Sequence, residues 1–224
     1  MAQGNALILP CTTPLVPACA HAFHAHRTLL LNADYKPFTY PLEPLNAEDT
    51  IRGLFLGRYK VVEWSNTYAH SPSCEFRLPA VVAVKDYVPD AGLYGIPACN
   101  LPNLFVRDIG LCQYTGEELR LNSPNPSMQA TIDHLHAKSR GGKIEWTNVV
   151  LASQSANNRK GNLTLAQSGL KLRTQPWVPR GADLLYLWLT QNRLDMLPPT
   201  WHEFLQIKPT PALRRVLEGL DHAA

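Results

Sequence analysis

The 224-residue sequence predicts an α+β protein made of short strands and short helices. Three observations predict this fold class. Runs of β-branched and aromatic residues bounded by turn residues recur in the first half of the chain. Two short strands followed directly by a helix are expected over residues 129–160, and residues 181–224 carry apolar helical patterns. The length suits one globular body or two small ones, because a domain of about 150 residues is only a soft prior.

Residues 1–26 come first and show neither a helical nor a strand period. They are rich in alanine, proline and small polar residues, so we expect a poorly ordered leader. His21, His24 and His26 form an H-x-x-H-x-H pattern. Metal binding is conceivable for such a pattern, but a poorly ordered tail offers no preorganised geometry, and we expect no metal site there.

A small amino-terminal α+β domain is expected over residues 27–95. Its first strand is the apolar run at residues 29–31, and Asn46 is a favourable N-cap because acidic residues follow it in the first helical turn. Residues 59–64 and 79–84 are rich in β-branched and aromatic residues, which predicts two further strands. We find no group of catalytic side chains in this domain.

A second domain is expected over residues 96–180, behind a connector that contains proline and glycine. The predicted elements are, in order, a hairpin turn, a strand, a polar loop, a second strand and a helix, at residues 112–118, 129–134, 138–146, 149–151 and 153–160. Residues 181–224 predict a helical segment. Its apolar helix at residues 184–189 can form a homodimer contact or pack within the chain.

Neither a membrane span nor a secretory signal is expected. The longest apolar-leaning stretch, residues 6–20, contains three prolines and falls short of the roughly 20 residues that cross a bilayer. Residues 1–5 carry no Lys or Arg, whereas a signal peptide begins with positive charge. We therefore expect a cytoplasmic protein. The five cysteines form no C-x-x-C pair and indicate neither a disulfide framework nor a cysteine-rich zinc site.

Charge is distributed unevenly along the chain. The formal net charge is +3, but residues 101–180 carry ten Lys and Arg against five Asp and Glu. This central segment is therefore +5, and the remainder of the chain is −2. A polyanionic partner such as DNA would meet the central segment, unless the excess is only an uneven solvated surface.

Asp133 and His134 are adjacent at the end of the strand predicted at residues 129–134, and Asn157 follows on the predicted helix. The carboxylate of Asp133 and the amide oxygen of Asn157 are ligands of the kind that Mg²⁺ prefers. The imidazole of His134 exchanges protons near neutral pH and can accept one from an attacking water. These residue types are the components of metal-assisted phosphodiester hydrolysis.

Other polar residues surround this group in the sequence. Asn148 precedes the second strand and can hydrogen-bond to backbone across the loop, which would hold His134 in place. Lys160 and Arg159 lie within one helical turn of Asn157, close enough to hold a phosphate. The loop also carries basic residues that favour contacts to the DNA backbone, namely Lys138, Arg140 and Lys143. His136 is an alternative metal ligand or base.

The spacing of these residues resembles the D-H…N…N variant of the HNH endonucleases. Several segments also resemble bacterial and phage members of that family: residues 104–108 (LFVRD), 112–114 (CQY), 131–134 (TIDH), 139–142 (SRGG), 146–150 (WTNVV) and 157–161 (NNRKG). Residues 29–37 (LLLNADYKP) resemble the domain that precedes the nuclease in that family. The resemblance covers roughly residues 28–179.

The resemblance implies a ββα-metal (His-Me finger) nuclease core at residues 96–180. It implies His134 as the general base, Asp133 and Asn157 as ligands of Mg²⁺, Mn²⁺ or another divalent cation, and Asn148 as the structural asparagine. The implied partner is DNA, and for a phage protein the implied compartment is the host cytoplasm. Specificity would come from the amino-terminal unit or from a protein partner, since no recognised reading helix or zinc finger is evident.

Many relatives hold a structural zinc ion with two C-x-x-C pairs, and this chain departs from that pattern. Cys112 stands with Thr115, and Ser153 stands with Ala156, so a single thiolate is present at the four expected positions. A closed zinc site takes about four good ligands. We therefore expect no structural zinc. The rival to a nuclease is a non-catalytic DNA-binding or assembly factor on a decayed HNH fold, such as a phage packaging or recombination accessory.

Overall fold

The computed structural model describes residues 8–10, 23–70, 74–89, 92–191 and 193–221. The chain divides into two compact units. The first is drawn from Met1–Leu93 and Leu194–Gln206, and the second from Tyr94–Arg193 and Ile207–Ala224. The segment after residue 180 therefore contributes to both units, while the domain boundaries expected at residues 95 and 180 stay predictions.

The first unit is built on a five-stranded sheet. Its elements are β1 (Ile8–Pro10), β2 (Arg27–Leu31), β3 (Leu45–Asn46), α1 (Ala47–Phe55), β4 (Tyr59–His70) and β5 (Cys74–Val84). Strand β5 lies in the middle, pairing antiparallel with β4 and β1 and parallel with β2. Two 3₁₀ helices, Leu194–Met196 and Pro199–Leu205, complete the unit.

The core of this unit lies on the two parallel strands. Leu31 and Val82 are fully buried, in the apolar runs that predict these strands. Helix α1 begins as expected, because the Asn46 side chain accepts a hydrogen bond from the Asp49 N–H at 2.8 Å. Trp201 is buried as well and donates from its indole N–H to the Ala80 carbonyl at 3.0 Å.

The leader expected at residues 1–26 contains two features that the sequence did not predict. Ile8–Pro10 forms a strand, with Ile8 opposite Phe76. His26 contacts the Pro79 carbonyl through Nε2 at 2.9 Å, which gives it a structural contact. His21 lies outside the described residues. Pairing with β5 supplies order at residues 8–10 that the local pattern lacks, and the poorly ordered leader expected over residues 1–26 stays a prediction.

The second unit is a β-hairpin surrounded by helices. Its elements are α2 (Leu101–Arg107), β6 (Ala130–His134), a 3₁₀ helix (Lys138–Arg140), β7 (Val149–Ser153), α3 (Gln154–Lys160), α4 (Leu165–Ser168), α5 (Gly181–Thr190) and α6 (Pro211–Asp221). Strands β6 and β7 pair antiparallel, with His134 opposite Val149. Helix α3 follows β7 directly and packs on both strands, so the predicted strand–loop–strand–helix order is confirmed.

A buried ion pair connects α2 to β7. Arg107 bonds Asp108 through Nε at 2.7 Å and donates to the Val149 carbonyl at 2.9 Å. Asp108 accepts from the Leu151 N–H at 2.8 Å. Burial raises the pKa of Asp108, and the Arg107 guanidinium beside it opposes that shift. This pair fixes the start of β7 from the side of α2.

Helix α5 packs inside the second unit. Leu184 and Leu185 are fully buried, and the helix contacts α2. Leu184 and Leu185 thus pack within the chain, and the possible homodimer stays a prediction. No helix in the described part of the chain is long and apolar enough to cross a membrane.

Candidate active site

His134 is the last residue of β6, as the sequence predicts. Neighbouring strand residues point to opposite faces, and the end of a strand is where this alternation relaxes. The Nε2 atom of His134 is buried and has no hydrogen-bond partner among the described residues. An unpartnered buried nitrogen is costly in a folded protein and commonly marks a position that a water, ion or substrate completes.

Asp133 is held by two side chains. It is 4% exposed. Its Oδ1 accepts from the Lys160 ammonium at 3.0 Å, and its Oδ2 accepts a short hydrogen bond from the Tyr114 hydroxyl. Burial, together with the hydrogen bond and charge of Asp133, raises the pKa of Tyr114 above its ordinary value. The phenol is therefore a donor to a carboxylate whose two oxygens are both engaged.

Helix α3 carries Asn157 and Lys160 to the strand. The helix begins at Ser153, whose hydroxyl accepts from the Ala156 N–H at 3.2 Å. The amide nitrogen of Asn157 donates to Thr131 Oγ1 at 3.1 Å and to the Ile132 carbonyl at 3.2 Å. These two bonds leave the amide oxygen without a described partner. Asn157 thus lies against the strand that ends in Asp133 and His134.

Asn148 ties together the two ends of the loop between β6 and β7. Its side-chain oxygen accepts from the His136 N–H at 2.8 Å, and its amide nitrogen donates to the Lys143 carbonyl at 2.9 Å. Its own carbonyl accepts from the Leu135 N–H at 2.8 Å. Asn148 therefore bonds to the backbone on both sides of the loop, and its expected role in holding His134 in place stays a prediction.

Two glycines shape the same loop. Gly141 has φ of +90°, a left-handed conformation that favours glycine. A Cβ atom on Gly142 would lie 1.8 Å from the His136 carbonyl oxygen, which no side chain can occupy. His136 is exposed and contacts the Arg140 carbonyl through Nε2 at 3.0 Å, within this loop. The expected alternative roles of His136 as base or metal ligand stay untested.

The predicted nucleic-acid-binding residues divide into two groups. Four of them are exposed: Lys138, Arg140, Lys143 and Arg159. Lys160 differs, because it is 1% exposed and its ammonium donates to Asp133 and, at 2.7 Å, to the His134 carbonyl. The ammonium of Lys160 is engaged by these partners, and the direct phosphate contact expected of Lys160 from the sequence stays a prediction. Its position within one turn of Asn157 on α3 was foreseen, but its orientation toward the strand was not.

Tyr114 is the residue that sequence reasoning missed. It lies in the predicted turn at residues 112–118 and within the CQY segment. Its hydroxyl reaches Asp133, which lies 19 residues further along the chain. The sequence offers an aromatic residue at this position but no signal for the partner of its hydroxyl.

Asp133 and Asn157 carry oxygen atoms of the kind that a hard divalent cation takes as ligands. Each oxygen of Asp133 keeps a lone pair after its one hydrogen bond, and the Asn157 amide oxygen is available. Among the described residues there is no cluster of three or more His, Cys, Asp or Glu side chains. A cation held here would therefore keep open positions for water or phosphate, as Mg²⁺ does.

The position of the zinc knuckle in relatives is filled differently here. Cys112 is fully buried, and its sulfur accepts from the Ser153 N–H at 3.4 Å. The turn is held by backbone bonds, including the Gly116 N–H to the Cys112 carbonyl at 2.8 Å and the Gln113 N–H to the Leu151 carbonyl at 2.8 Å. Hydrogen bonds and apolar packing hold these segments together. The expectation of no structural zinc stays a prediction.

Comparison with known families identifies two adjoining domains. Residues 28–91 match the model described as "HNH endonuclease-associated, N-terminal domain". Residues 112–163 match the model described as "HNH endonuclease". This second match contains every residue of the candidate site, from Tyr114 to Lys160. Comparison of the chain with curated proteins and with solved structures gave no match.

Proposed function

We propose that this chain, which carries an HNH endonuclease domain and the N-terminal domain associated with it, is a divalent-metal-dependent endonuclease that hydrolyses DNA phosphodiester bonds. HNH nucleases use divalent metal ions in general. The observation that carries the proposal is the unpartnered, buried Nε2 of His134, in the residue that follows Asp133 at the end of β6. A buried imidazole nitrogen without a partner lowers stability. We therefore do not expect a site that has lost its activity to retain one.

In the proposed reaction His134 is the general base. Its Nε2 takes a proton from the water that attacks the scissile phosphate. Asn148 holds the backbone after His134 through its bonds to His136 and Lys143. The Lys160 ammonium donates a hydrogen bond to the His134 carbonyl at 2.7 Å. These bonds fix the main chain at His134 and just after it. No described hydrogen bond occupies Nε2, so that nitrogen can accept the proton.

Asp133 and Asn157 are the proposed metal ligands. Both offer oxygen atoms, which favours Mg²⁺ or Mn²⁺ over softer metals. The bound cation stabilises charge that develops on the phosphate and on the leaving oxygen. The bonds of Asn157 to Thr131 and Ile132 place its amide beside the end of β6.

The DNA backbone is proposed to lie over the four exposed cations of the central segment, which are Lys138, Arg140, Lys143 and Arg159. Such contacts position the duplex and carry no sequence information. The chain has no further reading module that we identify from its sequence, so a partner that supplies specificity is part of the proposal.

The test is cleavage of supercoiled plasmid with Mg²⁺ or Mn²⁺ by the full chain and by His134→Ala. We expect the substitution to lower the cleavage rate by roughly 10²- to 10⁴-fold, because it removes the general base. His136→Ala is the matched control, since His136 is exposed and lies in the same loop, and we expect it to retain cleavage. Full cleavage by His134→Ala, or its loss in His136→Ala alone, contradicts the assignment of the base.

A non-catalytic DNA-binding factor on the same fold is the second candidate, and the replaced knuckle cysteines favour it. For this candidate, the wild-type protein binds DNA with a steep salt dependence and cuts none with any divalent metal. Scission resolved on a denaturing gel, with supercoiled and linear DNA compared, decides between the two functions.

A further inference from the structure

We infer that Tyr114 is a positioning residue that fixes the carboxylate of Asp133 for metal binding. The inference rests on the proposed function, since it assigns a second residue to the metal ligand of that site. Tyr114 touches neither the phosphate nor the proposed base, and it acts through Asp133.

The carboxylate of Asp133 is held on both sides by groups from different parts of the chain. The Tyr114 hydroxyl, from the turn after α2, donates to Oδ2. The Lys160 ammonium, from the last residue of α3, donates to Oδ1 at 3.0 Å. With one donor on each oxygen, rotation of the carboxylate breaks at least one bond. The lone pairs that remain therefore point in fixed directions.

The position of the Tyr114 backbone does not depend on its hydroxyl. The turn is closed by the Cys112 N–H to the Glu117 carbonyl at 2.9 Å and by the Gly116 N–H to the Cys112 carbonyl at 2.8 Å. It is attached to β7 by the Gln113 N–H bond to Leu151 at 2.8 Å. Removing the hydroxyl alone should therefore leave the turn and the aromatic ring in place.

Loss of the hydroxyl changes what Asp133 can do. Without the donor on Oδ2, the nearest cation is Lys160, and the carboxylate is free to turn both oxygens toward the ammonium. Metal binding by Asp133 then competes with a bidentate ion pair between Asp133 and Lys160. Substitution of residues that orient metal ligands typically weakens metal affinity by 10- to 100-fold, and we expect an effect in this range.

The experiment measures Mn²⁺ binding by the full chain without DNA, through the electron paramagnetic resonance signal of free Mn²⁺. Tyr114→Phe should raise the dissociation constant by roughly 10- to 100-fold. In cleavage assays, the Mn²⁺ concentration for half-maximal rate should rise by the same factor, while the rate at saturating Mn²⁺ stays within a few-fold. Tyr186→Phe is the matched control, because this tyrosine lies in the same unit on α5 and its hydroxyl forms no described hydrogen bond.

Two further variants separate positioning from folding. Tyr114→4-aminophenylalanine keeps a donor at the para position, and Tyr114→4-methylphenylalanine keeps the volume without a donor. We expect near wild-type Mn²⁺ affinity for the first and weakened affinity for the second. Equal affinities for this pair, or wild-type affinity for a folded Tyr114→Phe, overturn the inference. Wild-type protein that neither binds Mn²⁺ nor cuts DNA contradicts the proposed function instead.

Discussion

Two ion pairs are buried in the described part of the second unit, and each fixes a particular piece of backbone. Arg107 and Asp108 hold the start of β7, and Lys160 and Asp133 hold the end of β6. A buried charge is tolerated only where partners replace water. Both pairs also donate to backbone carbonyls, so they position the hairpin as well as satisfying each other.

Replacing Arg107 with Met should destabilise the protein by about 3–5 kcal/mol at pH 7, because it leaves the buried Asp108 carboxylate without its cation. Arg120→Met, on the exposed surface, is the control and should change the free energy of unfolding by no more than about 0.5 kcal/mol. Urea unfolding followed by circular dichroism measures both values. An Arg107→Met variant as stable as Arg120→Met contradicts the structural role of the pair.

The loss of stability in Arg107→Met, relative to the wild-type protein, should depend on pH in a defined direction. Burial raises the pKa of Asp108, and Arg107 opposes the rise. A carboxyl whose pKa is higher in the folded chain contributes stability below its unfolded pKa of roughly 3.9, and that contribution is lost as pH rises through the folded pKa. Arg107→Met raises this pKa further. The stability deficit of the variant should therefore shrink from pH 8 to pH 5, and a constant deficit contradicts this account.

The residues of the candidate site differ in how far the sequence could predict them. Asp133 and Asn157 could be proposed as ligands because both carry side-chain oxygen atoms and because their spacing resembles that of HNH endonucleases. Tyr114 and the burial of Lys160 could not, since a hydroxyl or an ammonium finds its partner only when two distant segments meet. In the structure, the Tyr114 hydroxyl reaches Asp133 across 19 residues of sequence, and the Lys160 ammonium reaches it across 27.

At the scale of elements, hydrogen bonds and two glycines set the shape of the loop between β6 and β7. Asn148 bonds to both sides of the loop. Gly142 lies so close to the His136 carbonyl that its Cβ would overlap that oxygen. The shape of the loop therefore requires the glycine pair after Arg140, whereas the sequence predicted only a polar loop.

Gly142→Ala should disturb this loop and, with it, the backbone that follows His134. We expect cleavage to fall by at least 10-fold while the far-ultraviolet circular dichroism spectrum is retained. Gly219→Ala is the matched control, since a Cβ there meets nothing within 4 Å and the residue lies in helix α6. That control should keep activity and gain up to about 1 kcal/mol of stability. Equal activity in the two variants contradicts the proposed role of the loop.

Element identity was predictable where a local signal exists, and element length was not. Caps at Asn46 and Ser153 and the capping box at Thr164 mark helices that are present in the structure. Strand β4 extends to His70, well past the expected residue 64, because pairing with β5 sustains a polar, half-exposed stretch. Cross-strand partners decide where a strand ends, and a single sequence does not show them.

At the scale of the molecule, the two units divide the charge as well as the fold. The central segment, residues 101–180, carries the +5 excess and lies within the second unit. Four of its cations are exposed beside or within the β6–β7 loop and α3, while Arg107 and Lys160 are buried in ion pairs. Four further cations of the segment are exposed as well, namely Arg120, Lys171, Arg173 and Arg180. The positive charge available to DNA is therefore smaller than the count of Lys and Arg in the segment implies.

This distribution predicts how DNA binding responds to salt. Each phosphate contact contributes roughly 0.9 to the slope of log affinity against log salt concentration. Replacing Lys138, Arg140, Lys143 and Arg159 together by Ala should therefore flatten that slope by about 3 to 4. A variant that neutralises four exposed cations elsewhere in the chain, Arg58, Lys85, Lys208 and Arg214, changes the net charge equally. We expect its slope to stay within about 1 of the wild-type value, measured by fluorescence anisotropy in EDTA. Equal flattening in both variants would mean that DNA responds to net charge alone, and that the surface around His134 is not where the duplex lies.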